Sequence, residues 1–267
     1  MSKETIAHLL GPVTLLLMLA ACGPQPLAVT QEPVTLHLVA CDTCSALVQE
    51  LATAYQSETP WVTLEVETFN TAVVEAQLRS RAADLFALPQ TEATQLPPWS
   101  APFATNVVII VVHPTVPIES LDIAQLREIF QGRTGEWEDG TPIQVVSREA
   151  GAGTRTVLET QVMEGQDVVL SAVVMPGDQE VLDFVASTPG AIGYVSLGQL
   201  SDEVRTLAIN NIYPTSNTLN AYPLSFLLHL GTPSEPDGAT RSFIQWVLSP
   251  EGQQRVDQLL RDGLVSP

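Results

Sequence analysis

Residues 106–113 read Asn-Val-Val-Ile-Ile-Val-Val-His, an apolar run with no polar alternation. Such a strand needs cover on both faces, because either bare face would leave branched apolar side chains in water. The rest of the chain supplies that cover. Residues 34–40, 61–68, 84–88, 143–147 and 191–195 also read as strands, and residues 224–230 form a further apolar segment. Residues 45–55, 73–83, 120–130 and 154–163 carry apolar side chains at helical spacing, and two more helices are predicted over 239–248 and 251–260. Residues 90–102, with three prolines, read as a loop. Strands alternating with helices predict an α/β fold with parallel sheets covered on both faces, in which ligands bind at the carboxyl ends of the strands.

Charge narrows the partners. The 267 residues include 30 Asp+Glu against 11 Lys+Arg, a formal net charge of −19, and the one lysine is Lys3. Nucleic acid is excluded for want of a basic patch, and an anionic membrane surface would repel the chain. Disorder is not favoured either, since 45% of residues are hydrophobic and only 15% charged. The length fits one large domain or two lobes of about 100–150 residues each.

The N-terminus reads as an address. Residues 1–21 place Lys3 before a short apolar stretch that ends in Ala20 and Ala21, the pattern of a signal peptide. Leu19-Ala20-Ala21-Cys22 resembles the lipobox of bacterial lipoproteins, which implies cleavage before Cys22 and a lipid on its sulfur. Residues 22–33, rich in proline and without apolar period, read as a tether. The expected location is therefore the extracytoplasmic face of a bacterial membrane, lipid-anchored.

Cys41 and Cys44 remain, as a C-x-x-C between a strand and a helix. Two readings compete: a local disulfide that stiffens the turn, and a thioredoxin-type redox centre, whose thiol a helix N-terminus would activate. The disulfide is favoured. Zinc lacks a second ligand pair, so no metal and no cofactor are expected.

Ordered blocks along the chain carry a family resemblance. Leu121, Gln125, Leu126, Ile129, Phe130, Gly132 and Trp137 are followed by Arg148, Gly153, Thr154 and Arg155. Next come Pro189-Gly190-Ala191-Ile192-Gly193-Tyr194-Val195, Tyr222-Pro223-Leu224, Phe243 and Ser249-Pro250-Glu251-Gly252-Gln253. Together they resemble the phosphate-binding proteins of ABC importers, the PstS type, over about residues 34–267. The resemblance implies a type 2 periplasmic-binding fold, two α/β lobes closing on a ligand in the cleft. Lobe 1 is expected at 34–105 plus 197–267, and lobe 2 at 106–196. The implied function is capture of inorganic phosphate, or a similar small oxyanion, for delivery to the membrane subunits of an ABC permease. The protein would thus be a binder, not an enzyme.

The residues themselves suit an oxyanion. Arg148 follows a strand, and Gly151, Ala152, Gly153 and Thr154 open a helix, where free N–H groups face an anion and glycines permit close approach. Thr154 adds a hydroxyl and Arg148 a planar charged fork. Asp42 and Thr43 present a second helix N-terminus. Asp84 matches a family aspartate that the resemblance implies is a ligand contact, able to accept the proton of hydrogen phosphate and reject sulfate. Some positions depart from the family. Ala152 stands in place of a serine, Asp42 adds a carboxylate that repels an anion, and Asn70 or Thr71 must replace a missing Gly/Ser-rich loop. Each lost hydrogen bond to a charged ligand costs about one to two decades of affinity.

The same fold retuned to another ligand, or used as a sensor or adaptor, is the alternative, with a thiol–disulfide oxidoreductase behind it. No nucleophile elbow, zinc-protease motif or P-loop occurs in the sequence. His37, His113 and His229 fall in apolar strands and read as core, whereas Asp178 reads as solvated turn chemistry.

Overall fold

A computed structural model describes residues 31–198 and 200–262. Contacts divide the chain into Met1–Glu32 and Pro33–Pro267, and the fold described here is that of the second unit. The signal peptide, Cys22 and most of the tether lie outside the described residues.

The fold begins with β1 (Val34–Cys41), a one-turn 3-10 helix (Asp42–Cys44), α1 (Ser45–Glu58), β2 (Val62–Phe69), α2 (Thr71–Ser80) and β3 (Leu85–Pro89). The long strand β4 (Trp99–Val112) follows, then β5 (Ser120–Leu121), α3 (Ile123–Phe130), β6 (Gln144–Arg148), α4 (Gly153–Gln161), β7 (Val173–Met175), α5 (Asp178–Ser187) and β8 (Ala191–Ser196). Short strands β9 (Arg205–Thr206) and β10 (Ala208–Ile209) precede β11 (Ser225–Thr232), α6 (Gly238–Leu248) and α7 (Pro250–Asp262).

One sheet runs through both lobes in the order β2-β1-β3-β11-β4-β8-β6-β7, with β9 also on β4. β4 joins them. Its first half pairs antiparallel with β11 through Val107, and its second half pairs antiparallel with β8 from Val108. The sheet is therefore mixed: β11 runs against β3 and β4, and β4, which keeps the direction of β1 to β3, runs against β8. All residues from Val107 to Val112 are fully buried, as an apolar run without alternation requires.

β4 begins earlier than its sequence suggests. Residues 99–102 are strand, although the prolines there read as loop. The register slips between Leu228 and His229, opposite Ala104 and Pro102. Pro102, which cannot donate to a ladder, thus sits at an irregularity where no donor is needed. β7 and α5 were not anticipated. α5 buries Val181, Leu182 and Val185 at helical spacing behind the Pro176-Gly177 turn.

Two histidines depart from the core reading. His37 is exposed and faces Glu65 at 3.1 Å, and His113 lies just past the end of β4, half-buried, with its Nδ1 2.7 Å from Thr115 Oγ1. His229 is buried, bonds Gln90 Oε1 at 2.9 Å, and is pushed below the ordinary histidine range by burial.

α3 starts in a capping box. Asp122 accepts from Gln125 N at 2.7 Å, and the Gln125 side chain accepts from Asp122 N at 2.9 Å. Asp122→Ala is expected to cost about 1 kcal/mol of stability, read as a lower urea midpoint at unchanged slope.

Candidate functional site

Five strands deliver their carboxyl ends to one place. β1 ends at Cys41, β2 at Phe69, β6 at Arg148, β7 at Met175 and β8 at Ser196. Each of the first four then turns into a helix, so helix N-termini gather where the lobes meet.

Arg148 is the cation of the site and is 3% exposed. Its NH1 bonds Asp178 Oδ1, while its NH2 lies 3.2 Å from Asp42 Oδ2 and donates to Pro176 O at 3.0 Å. Asp178 is not solvated, contrary to the sequence reading. It opens α5, and its second oxygen accepts from Ser196 N at 2.8 Å and Ser196 Oγ at 2.6 Å. The signal in the sequence was an aspartate in the first turn after Pro-Gly, where a helix dipole favours negative charge. Tyr194 holds the strand end from behind: its hydroxyl accepts Arg148 N at 3.0 Å and lies 2.8 Å from Ser147 Oγ. Burial pushes the Tyr194 phenol up to about 12.

Asp42 occupies the opposite side. Its Oδ1 accepts from Thr43 N at 3.0 Å and from Gly153 N, the first residue of α4, at 3.1 Å, and its Oδ2 lies 3.4 Å from the same Gly153 N. A carboxylate of the protein thus sits on the N-terminus of α4, beside the guanidinium of Arg148. The residue types at this turn lead one to expect a bound anion in that place.

The surroundings are packed closely. A Cβ on Gly153 would stand 2.9 Å from Thr43 Oγ1 and from Thr71 Oγ1, so only glycine lets the lobes approach here. Gly151 has φ +88° and would meet Ala72 Cβ at 2.8 Å, and its carbonyl accepts Ala72 N at 3.2 Å. Asn70 caps α2 through Val73 N at 3.0 Å and donates to Glu149 Oε1 at 3.3 Å across the lobes. Three buried polar atoms here have no partner: Thr71 Oγ1, Thr154 Oγ1 and Arg148 Nε.

The structure therefore gathers Asp42, Thr43, Asn70, Thr71, Arg148, Gly151, Ala152, Gly153 and Thr154 at one junction, with roles that differ from those expected. The Ala152 N–H is spent on Glu149 O at 3.3 Å. Arg155, beside the same turn, is occupied elsewhere, donating to Arg148 O at 3.0 Å and to Glu159 Oε1 at 2.7 Å. Asp84 stands apart. It is exposed, precedes β3 and exchanges bonds with the backbone of His37, accepting its N–H at 2.9 Å and donating to its carbonyl at 3.0 Å. Parallel pairing fixes this: Leu85 lies beside Leu38, three residues short of the end of β1, so Asp84 cannot reach the carboxyl edge. Asp84 therefore cannot make the sulfate-rejecting ligand contact that the resemblance implies.

Cys41 and Cys44 are joined in a disulfide, and both are fully buried. The bond closes the turn that presents Asp42. Among the described residues no cluster of three His, Cys, Asp or Glu side chains can hold a metal ion. A cavity of about 280 Å³ adjoins the site, lined by Asp42, Ser45, Glu50, Asn106, Ser196 and Leu260 among others.

One cation between two carboxylates leaves a negative charge over. Burial, the largest cause, pushes Asp42 above its ordinary value of 3.8, and Asp178 adds to the rise against the pull of Arg148 and the Gly153 and Thr43 N–H groups. Folded Asp42 thus keeps its proton to higher pH than the unfolded chain does. Its contribution is fully present below 3.8 and is lost as pH climbs through the raised value. Urea titrations from about pH 4 to about pH 7 are expected to show Asp42→Asn gaining on the wild type as pH rises. A pH-independent difference would contradict this balance.

The comparisons agree with the architecture. A model described as a PBP superfamily domain matches residues 30–251. A PstS phosphate-binding protein of Bacillus subtilis is 25% identical over 152 residues, 54% of this chain and 50% of that protein. The PstS of Pseudomonas aeruginosa is 24% identical over 269 residues, 86% of this chain and 82% of that one. The chain thus spans half the length of the first relative and most of the second. An ABC-type phosphate transport receptor from Vibrio cholerae superposes with a TM-score of 0.72 at 23% identity, over 84% of this chain and 98% of that one. A putative phosphate ABC transporter substrate-binding protein from Clostridium perfringens, with bound phosphate, superposes at 0.75 and 20% identity, over 85% and 98%. On the strength of the family match over most of its length, the chain belongs to the PBP superfamily.

Proposed function

We propose that the chain captures inorganic phosphate, or a similar small oxyanion, between its lobes and delivers it to the membrane subunits of an ABC importer. It acts by binding and release, without catalysis. The relatives named phosphate-binding proteins support the ligand class, and the tethered N-terminus with Cys22 supports lipid anchoring on the extracytoplasmic face. We place lobe 1 at residues 34–105 and 197–267 and lobe 2 at 106–196, except that β9 and β10 pair with β4 and β5 and so go with lobe 2. The change of strand partner within β4 between Val107 and Val108 supports a crossing there.

One observation carries the reading. The N–H of Gly153 and the guanidinium of Arg148 converge on a single pair of carboxylate oxygens, a geometry built for negatively charged oxygen. The buried hydroxyls of Thr71 and Thr154 are spare donors beside it, and a tetrahedral oxyanion has more acceptor oxygens to offer them than a carboxylate has. A redox role has little support, since both sulfurs of the C-x-x-C are buried from any attacking thiol.

Calorimetric titration with inorganic phosphate at neutral pH is expected to give saturable, sub-millimolar binding. Arg148→Lys loses the planar fork and is expected to weaken it by about ten- to a hundredfold. Absence of heat from phosphate and from sulfate alike would refute the oxyanion reading.

A further inference from the structure

We propose that Asp42 is an internal ligand of this site: its carboxylate holds the oxyanion position and closes the lobes on itself, so an incoming anion binds only by displacing it. This inference rests on the oxyanion reading and adds to it the group that sets affinity.

The contacts define the competition. Asp42 belongs to the first lobe, at the carboxyl end of β1, while Gly153 and Arg148 belong to the second. Its bonds to Gly153 N at 3.1 Å and to Arg148 NH2 at 3.2 Å therefore cross the cleft, as those of a bound anion would. The fit is incomplete. A carboxylate has two oxygens, both already engaged, and Thr71 Oγ1, Thr154 Oγ1 and Arg148 Nε stay buried and unpartnered. Thr71 Oγ1 lies 2.9 Å from the Cβ position of Gly153, at the same helix start that Asp42 occupies. These spare donors favour a tetrahedral anion over the carboxylate, which makes displacement possible.

There is also somewhere for the carboxylate to go. Asp42 lines the adjoining cavity of about 280 Å³, which has room for it, and there water would solvate the carboxylate, because Ser45, Asn106 and Ser196 already donate to Asp42 O, Thr43 O and Asp178 Oδ2. Arg148 would not be stranded when Asp42 leaves, because Asp178 and the Pro176 carbonyl still hold it. Displacement thus exchanges one anion for another on the same donors without leaving a buried cation alone.

The test compares the full chain with Asp42→Ser, which removes the carboxylate, and Asp42→Asn, which keeps its size without its charge. Inorganic phosphate is titrated calorimetrically into each, and small-angle scattering reports the size of the particle before and after. Asp42→Ser is expected to bind phosphate about ten- to a hundredfold more tightly than the wild type, with Asp42→Asn between them. Before phosphate is added the serine variant is expected to scatter as a more open particle than the wild type, and phosphate should return it to wild-type dimensions. If the wild type binds phosphate and the serine variant binds it no better, Asp42 is not a competitor and the oxyanion reading survives alone. If neither variant nor wild type binds phosphate, both fall together.

Discussion

The guanidinium of Arg148 stands between two carboxylates that arrive from different parts of the fold, and the arrangement of the site follows from that sharing. Asp178 comes from the same lobe and is itself fastened by Ser196, so it holds Arg148 in place. Asp42 comes from the other lobe and reaches Arg148 across the cleft. A buried cation without a partner is costly, which is why stripping one member from a buried pair is strongly destabilising. Asp178 guarantees that Arg148 is never alone, which leaves the second position on the guanidinium free to be contested.

Negative charge makes the contest close. With a net charge of −19 the chain repels anions at long range, but screening limits that repulsion to about 8 Å at physiological salt. Inside that distance the proposed capture rests on a few fixed donors: the Gly153 N–H, the guanidinium, and the hydroxyls of Thr71 and Thr154. The glycines matter here for their lack of a side chain, since Gly151 and Gly153 let α4 close against Ala72, Thr43 and Thr71. The disulfide between Cys41 and Cys44 ties down the turn from which Asp42 projects. Backbone, disulfide and glycine thus serve one purpose, which is to bring two lobes to hydrogen-bonding distance over a single anionic group.

Much of this could be read from the residues. The apolar run of β4, the helix starts at Ser45 and Gly153 and the Arg148 turn all followed from periodicity and turn chemistry, because each is a local property of the chain. What escaped depended on distant pairing. β4 extends through Pro102 because a slip in register opposite β11 excuses the missing donor. Asp84 lies at the amino end of β3 and not at the carboxyl edge, since pairing of Leu85 with Leu38 sets it level with His37. Asp178 looked like an ordinary turn acid until the fold buried it against Arg148. Asp42 was recognised as an intrusion but not as an occupant. Repulsion of a ligand and replacement of a ligand look alike in sequence, and only the distances to Gly153 and Arg148 separate them.

The most direct measurement is a crystal structure of the protein grown with inorganic phosphate. The account predicts a phosphate oxygen within hydrogen-bond distance of Gly153 N and Arg148 NH2, with the Asp42 carboxylate turned into the adjoining cavity. Asp42 still seated on Gly153 N, with phosphate elsewhere or absent, would contradict it.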